Sequence, residues 1–400
     1  MRKDVLLVLS LFAISVACRD DADSPTAPDT SPSLATTTAA PVYIQVSVGV
    51  GHSCAVASDG RLFCWGRNGD GELGDGTTTD RLIPVPVGGA LRFRQVSAGF
   101  FSTCAVTTTY RAYCWGDNTY AQLGDGTTSP RLRPAAVAGG RQFRRVETFL
   151  QHTCAVTYPG DKAFCWGNNT VGELGIGNNT GPQNGRFGAF SAKPVAVLSS
   201  LTFRHVTVGD SHSCGATNDN RVFCWGYNRW GQVGDGSGGW IKVKPVRVAG
   251  TQQYRQVDAG QYHTCAVTTA NRAFCWGKNS FGALGNGTRS SSRAPKAVSG
   301  GLSLDRISAG EDLTCAESTG NRVYCWGLNS VGDGTFNNRL TPVPVAGGLL
   351  FTQASAGVDG CAISGGRVYC WGFGDQGYLG NGSTENSPSP VPVSDPAGTS

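Results

Sequence analysis

Seven times along the chain a cysteine is followed nine to eleven positions later by Cys-Trp-Gly, and the copies recur every 46 to 60 residues. The pairs are Cys54 with Cys64, Cys104 with Cys114, Cys154 with Cys165, Cys214 with Cys224, Cys265 with Cys275, Cys315 with Cys325 and Cys361 with Cys370. A period of this length marks stacked supersecondary units, each too small to bury a core alone. The repeat overrides the soft prior of two or three domains that 400 residues would suggest. Fourteen of the 15 cysteines fall into repeat pairs, and the odd one, Cys18, ends an N-terminal apolar run.

Each unit reads as four short strands. In the second copy these are Phe93 to Gly99, Thr103 to Thr107, Arg111 to Trp115 and Pro134 to Val137, with a glycine-rich turn over Gly116 to Thr128. Proline at the start of the last strand suits an edge, where a missing N–H is harmless. No segment sustains a helical period, and 57 glycines argue against a helical solenoid. Seven four-stranded units make an all-β, seven-bladed propeller over residues 43–393, with a polar tail at 394–400.

In the last copy, pairing Cys361 with Cys370 leaves Gly365-Gly366 as a two-residue hairpin loop. Five other copies have three-residue loops such as Ser58-Asp59-Gly60, and the third adds one residue near Pro159-Gly160. Each cysteine therefore faces its partner across a hairpin, within disulfide reach. A closed zinc site needs four ligands, and one pair per unit supplies two. The expectation is one disulfide per blade, and no metal or cofactor.

The N-terminus reads as an export signal over residues 1–17. Arg2 and Lys3 precede an apolar stretch from Val5 to Ala17, which ends in small residues and is too short to span a bilayer. Cys18 directly after the cut matches the pattern of an acylated lipoprotein cysteine, although Ser15 stands where that pattern prefers a larger aliphatic residue. Residues 18–42 are rich in Asp, Ser, Thr, Pro and Ala and read as a disordered tether. An exported cell-envelope lipoprotein or secreted protein is expected, in a compartment where disulfides persist. A net charge of +5, evenly spread, does not argue for nucleic acid.

His52-Ser-Cys-Ala-Val56, Gly60-Arg-Leu-Phe-Cys-Trp-Gly66, Asn68 and Gly71-Glu-Leu-Gly-Asp-Gly76 resemble the repeat of the regulator of chromosome condensation family. The Trp-Gly-x-Asn-x-x-Gly-x-Leu-Gly core reappears, varied, at Trp115, Trp166, Trp225, Trp276, Trp326 and Trp371. The resemblance implies a seven-bladed propeller, and the paired cysteines suggest an exported branch. The sixth copy lacks three residues of the turn, the third carries an insertion around Asn178 to Ala192, and the seventh replaces the repeat Asn with Gly374. The family's guanine-nucleotide exchange is not carried over, because an export signal would place the chain away from a nuclear GTPase. A secreted β-lactamase inhibitory protein of similar fold is a closer precedent.

Four histidines, His52, His152, His212 and His263, stand two residues before the first cysteine of their copies, where Ser102, Leu313 and Asp359 stand elsewhere. Their expected job is a hydrogen bond within or between blades. A cation lies three before the second cysteine in every copy: Arg61, Arg111, Lys162, Arg221, Arg272, Arg322 and Arg367. These read as solvated hairpin ends, with a positive annulus as the alternative.

Two positions vary between copies and so read as loops freed from packing. One follows the first strand; the other, two residues past the repeat Asn, holds Asp70, Tyr120, Val171, Trp230, Phe281, Val331 and Gln376. Phe100, Phe101, Tyr120, Trp230, Trp240, Tyr262 and Phe281 are the candidate binding residues, being of the types that dominate binding hot spots. The expected function is a monomeric, non-catalytic module that binds a protein outside the cytoplasm and meets a membrane only through an N-terminal lipid. Alternatives are an inhibitor of a secreted hydrolase, and a glycan binder or enzyme using the central channel.

Overall fold

A computed structural model describes residues 40–185 and 188–396. The expected signal segment, Cys18, nearly all of the expected tether and the last four residues lie outside the described residues. The first blade is built from β1 (Tyr43–Val48), β2 (His52–Ala57), β3 (Leu62–Gly66) and β4 (Arg81–Pro86), antiparallel and in that spatial order. Six further sheets repeat the order, each from one continuous stretch of chain. The insertion in the third copy adds a fifth strand, Gln183–Gly185, outside Gly188–Ala196.

The fourth strand begins earlier than expected. In the second blade it is Arg131–Ala136, so Pro134 sits inside it. Proline is tolerated there because this outermost strand has a free edge.

Every cysteine pair is directly opposed across the second and third strands of its blade. Cys54 faces Cys64, Cys104 faces Cys114, Cys154 faces Cys165 and Cys214 faces Cys224. In the remaining blades Cys265 faces Cys275, Cys315 faces Cys325 and Cys361 faces Cys370. All seven pairs lie at disulfide distance, with Cα separations of 4.0–4.1 Å. The extra residue between Cys154 and Cys165 is absorbed in the hairpin loop, so the register of that pair matches the others.

The core lies between neighbouring sheets rather than within any one. Val56, Leu62, Leu73 and Val87 of the first blade pack with Phe93, Val96 and Trp115 of the second. All seven repeat tryptophans are fully buried. Six donate their indole N–H to the preceding blade's turn, as Trp115 does to the Glu72 carbonyl at 2.9 Å and Trp65 to that of Tyr378 at 3.1 Å. Trp371 has no acceptor, because the shortened sixth turn removes the residue that would supply it. The same deletion corrects one sequence expectation: Val331, in the connection between the third and fourth strands, is not freed from packing but is fully buried against Trp371, in the place Leu73 takes elsewhere.

The first strands line the axis, where their outward edges would be left unpaired. Glutamines repair this. Gln45 donates to the Val96 carbonyl at 2.9 Å and accepts from its N–H at 3.0 Å. Gln95, Gln256 and Gln353 bridge to Val146, Ile307 and Val46 in the same way. The bond from Gln353 to Val46 joins the seventh blade to the first and closes the ring.

Candidate functional site

Alternation of strand direction divides the connections between two faces. Links from first to second strand and from third to fourth emerge on one, the loop face. The hairpins between second and third strands, and the links to the next blade, emerge on the other, the hairpin face.

The first strands enclose a channel of about 670 Å³, lined by residues such as Gln45, Arg145, His205, Asp258, Arg306 and Glu317. Its loop-face end is framed by glycines. A Cβ on Gly49, Gly209, Gly260, Gly310 or Gly357 would overlap the carbonyl oxygen of the next glycine round the ring. The spot on the third blade is taken by Phe149 instead. Phe149 is buried with Val208, and Leu150 and Val50 pack against that cluster. Val50 comes from the first blade and Leu150 from the third, so apolar side chains of non-adjacent blades pack on one cluster at this end of the channel. Among the channel carboxylates, Glu147 pairs with Arg145 at 2.6 Å and Asp258 accepts from the Ala309 N–H at 2.9 Å. Glu317 accepts from the Ala354 N–H at 2.6 Å. The bonds of Asp258 and Glu317 hold neighbouring blades together, whereas the Glu147 pair lies within one strand. Burial pushes Asp258 up to about 6 and Glu317 to about 7.

The histidines do what their register suggested. His52 Nε2 lies 2.8 Å from Thr103 Oγ1, and His152, His212 and His263 contact Ser213, Thr264 and Thr314 of the following blades at 2.8–2.9 Å. The Thr103 hydroxyl donates to the Glu72 carbonyl at 2.7 Å, so the His52 ring must donate to it through Nε2–H. The Nδ1 atoms, which lack partners, are then bare lone pairs. Burial holds all four rings neutral, at about 3.

All seven candidate binding residues stand on the loop face, in two groups separated by the third blade. On the second blade Phe100 and Phe101 pack together with centroids 4.2 Å apart, and Arg67 stacks on Phe101 at 4.6 Å. Tyr120, half-buried, sits in the same blade's third-to-fourth connection. On the fourth and fifth blades Trp230 and Trp240 flank Arg229, whose guanidinium lies 5.6 and 5.3 Å from their rings. Trp230 is 38% and Trp240 66% exposed. Beside them Lys278 reaches both Tyr262 and Phe281, at 5.5 and 5.6 Å, and pairs with Asp312 at 3.0 Å. Burial raises the Asp210 carboxyl, and burial with the Asp312 charge raises Glu311. A stacked pair missed in the sequence, Phe336 and Phe373 at 5.9 Å, adds apolar surface on the sixth and seventh blades. An aromatic side chain at Phe336, inside the truncated sixth turn, is the one signal that could have found it. Among the described residues there is no cluster of His, Cys, Asp or Glu fit to hold a metal ion.

A ring of contiguous blades, each packed on its neighbour through a tryptophan and a glycine-rich turn, defines a repeat β-propeller. The chain belongs to the Regulator of chromosome condensation (RCC1) repeat family, whose model matches residues 59–106, 111–156, 161–216, 219–267, 271–316 and 365–400. A second model of the same repeat matches 43–72, 93–122, 203–232 and 254–283. The ultraviolet-B receptor UVR8 of Arabidopsis thaliana is 33% identical over 260 residues, covering 64% of this chain and 57% of that protein. The probable E3 ubiquitin-protein ligase HERC6 of Homo sapiens is 35% identical over 126 residues, 30% of this chain and 12% of that one. The chain thus matches little more than half the length of UVR8 and an eighth of HERC6. Human WBSCR16 shares the fold at TM-score 0.71 and 20% identity, over 80% of this chain and 85% of that one. Prp20p of Saccharomyces cerevisiae, solved with a study of its binding to Gsp1p and histones, does so at 0.71 and 19%, over 88% of each.

Proposed function

We propose that this propeller is an exported, non-catalytic module that docks a protein on its loop face, through the aromatic arc of the fourth and fifth blades. The observation that carries the reading is the pair of cation-stacked clusters, Trp230–Arg229–Trp240 and Tyr262–Lys278–Phe281. Exposed tryptophans and an arginine, beside half-buried aromatics, have the composition of an interface centre. The binding of Gsp1p and histones by Prp20p is a precedent for protein partners on this scaffold. Export rests on the N-terminal signal pattern and on seven cysteine pairs at bonding distance. An inhibitor of a secreted hydrolase is a special case of this reading. A glycan platform is the less favoured reading because Arg229 lies against both exposed tryptophans, and channel catalysis because the channel carboxylates Asp258 and Glu317 are taken up in hydrogen bonds to the next blade.

Affinity capture from the envelope and medium of the source cells, with the full chain as bait, tests this. Trp230→Ala with Phe281→Ala should weaken capture of the partner at least thirtyfold, the size of a hot-spot loss of about 2 kcal/mol, while thermal unfolding stays within a degree or two. A large fall in melting temperature would show these rings to be core.

A further inference from the structure

The hairpin face differs from the loop face in charge, and its chemistry is set by two rows of cations. The first is the seven-membered ring at the hairpin ends, now placed on one side of the disc. Arg111, Lys162, Arg272, Arg322 and Arg367 of this ring are exposed. The second row is Arg94, Arg144, Arg204 and Arg255, at the second position of four consecutive inner strands. Arg144 and Arg255 reach over the start of the next blade, to the carbonyls of Phe203 and Leu304. Against these eleven cations the same face sets five carboxylates, Asp59, Asp161, Asp219, Asp305 and Asp395. Asp59, Asp161, Asp219 and Asp305 each pair with one arginine. Among the described residues Arg272, Arg322 and Arg367 form no ion pair. The loop face is the reverse, with Asp70, Asp117, Asp210, Glu311, Asp312 and Asp375 among its carboxylates against Arg67, Arg229, Lys278 and Arg289.

Two further observations say what kind of surface would lie against the cations. Apolar side chains stand among them: Val42, Ile44 and Leu350 are each more than half exposed and Tyr158 is 44% exposed. A cationic plane studded with aliphatic and tyrosine side chains suits the headgroup layer of a membrane, where such groups bury their apolar ends and leave the charges among phosphates. The chain also enters the propeller on this face. The Val42 carbonyl accepts from the Ser58 N–H at 2.8 Å, and the Tyr43 N–H donates to Gly366 at 2.8 Å, both partners being in hairpin turns.

We infer that the hairpin face rests on an anionic phospholipid surface, with the loop face turned away from it. The proposal relies on the exported reading for the identity of the membrane only; the charge and the entry point stand without it. It adds a second contact to any lipid on Cys18 and leaves the loop face free for a protein.

The test is co-sedimentation of the exported chain carrying Cys18→Ser with phosphatidylcholine vesicles, with and without phosphatidylglycerol. Binding should require phosphatidylglycerol and fall as salt is raised. Each cation near an anionic surface is worth about fivefold in partitioning, so the triple variant Arg272→Gln, Arg322→Gln, Arg367→Gln should bind roughly a hundredfold more weakly. The triple Arg→Lys variant should bind as the parent does, which separates charge from misfolding. Trp230→Ala with Phe281→Ala should leave vesicle binding intact, so this proposal and loop-face docking fail independently. Equal binding to both vesicle types, or by the Gln variant, would overturn the proposal. Tighter binding to duplex DNA than to the anionic vesicles at the same salt would assign the face to nucleic acid and overturn it too.

Discussion

Asp359 occupies on the seventh blade the register that histidine holds on four others, and the exchange reverses how that place responds to pH. Its carboxyl is buried, accepts from the Phe373 N–H at 2.8 Å and from Ser330 at 3.3 Å, and is pushed up to about 7 by burial. A folded pKa above the unfolded one means the native state holds the proton more tightly. The stability this provides is complete below about pH 4 and is lost as pH rises through about 7. Glu173 and Glu317, also raised to about 7, act in the same direction. The buried histidines, held at about 3, act in the opposite one: their contribution is present above about pH 6.5 and is lost as pH falls towards 3. Asp359→Asn keeps both accepted bonds and removes the titration. Thermal melts should show the variant gaining on the parent between pH 5 and pH 8, by about 2 kcal/mol. A constant offset across that range would mean Asp359 is ionised throughout.

Within a blade, much is legible because strand pairing is arithmetic on sequence separation. Cysteines ten apart around a three-residue loop must oppose each other, as Cys54 and Cys64 do, and as Cys104 and Cys114 or Cys265 and Cys275 do again. Contacts between blades are harder to read, although they have their own arithmetic: Gln45 bridges to Val96 and His52 to Thr103, each 51 residues on. The position is visible in the repeat, but its partner is not, since nothing within one copy says which way a side chain leans. The deletion in the sixth turn is plain in the sequence, yet its packing effect on Val331 and Trp371 is not, because that depends on which residue slides into the leucine site. The binding candidates can be placed on loops by their variability; that they share one face follows only from strand direction. The axial glycines belong to this scale as well. Gly260→Ala would drive a methyl group into the Gly310 carbonyl of the next blade, and should cost more than about 3 kcal/mol in denaturant unfolding, as strain at a close backbone approach does. A loss within the scatter of surface substitutions would mean that the blades can move apart freely.

For the whole molecule, cross-links and ring closure divide the stabilisation. Among the described residues every disulfide lies inside one blade, from Cys54–Cys64 in the first through Cys154–Cys165 and Cys315–Cys325 to Cys361–Cys370 in the last, so none of them ties the circle together. Closure rests on hydrogen bonds and interblade cores. Replacing Cys214 and Cys224 by alanine should cost about 2–3 kcal/mol, the chain-entropy value for so short a loop, and leave the other six blades intact. Peptide mapping of the unreduced protein should return the seven within-blade pairs. Pairs between blades would contradict the architecture.

Two joints of the circle depart from the common pattern, and neither is where the termini meet: between the sixth and seventh blades Arg306 stands in the place of the bridging glutamine and Trp371 lacks its acceptor. Between the third and fourth blades Arg145 and Glu147 pair with each other instead of reaching across, and Phe149 stands where a glycine would let the backbones touch. The last blade, by contrast, grips the first through Gln353 and Ser355. The plainest stitching of the circle therefore falls where the polypeptide itself runs on across the joint, while the seam that no peptide bond crosses keeps its full set of side-chain bridges.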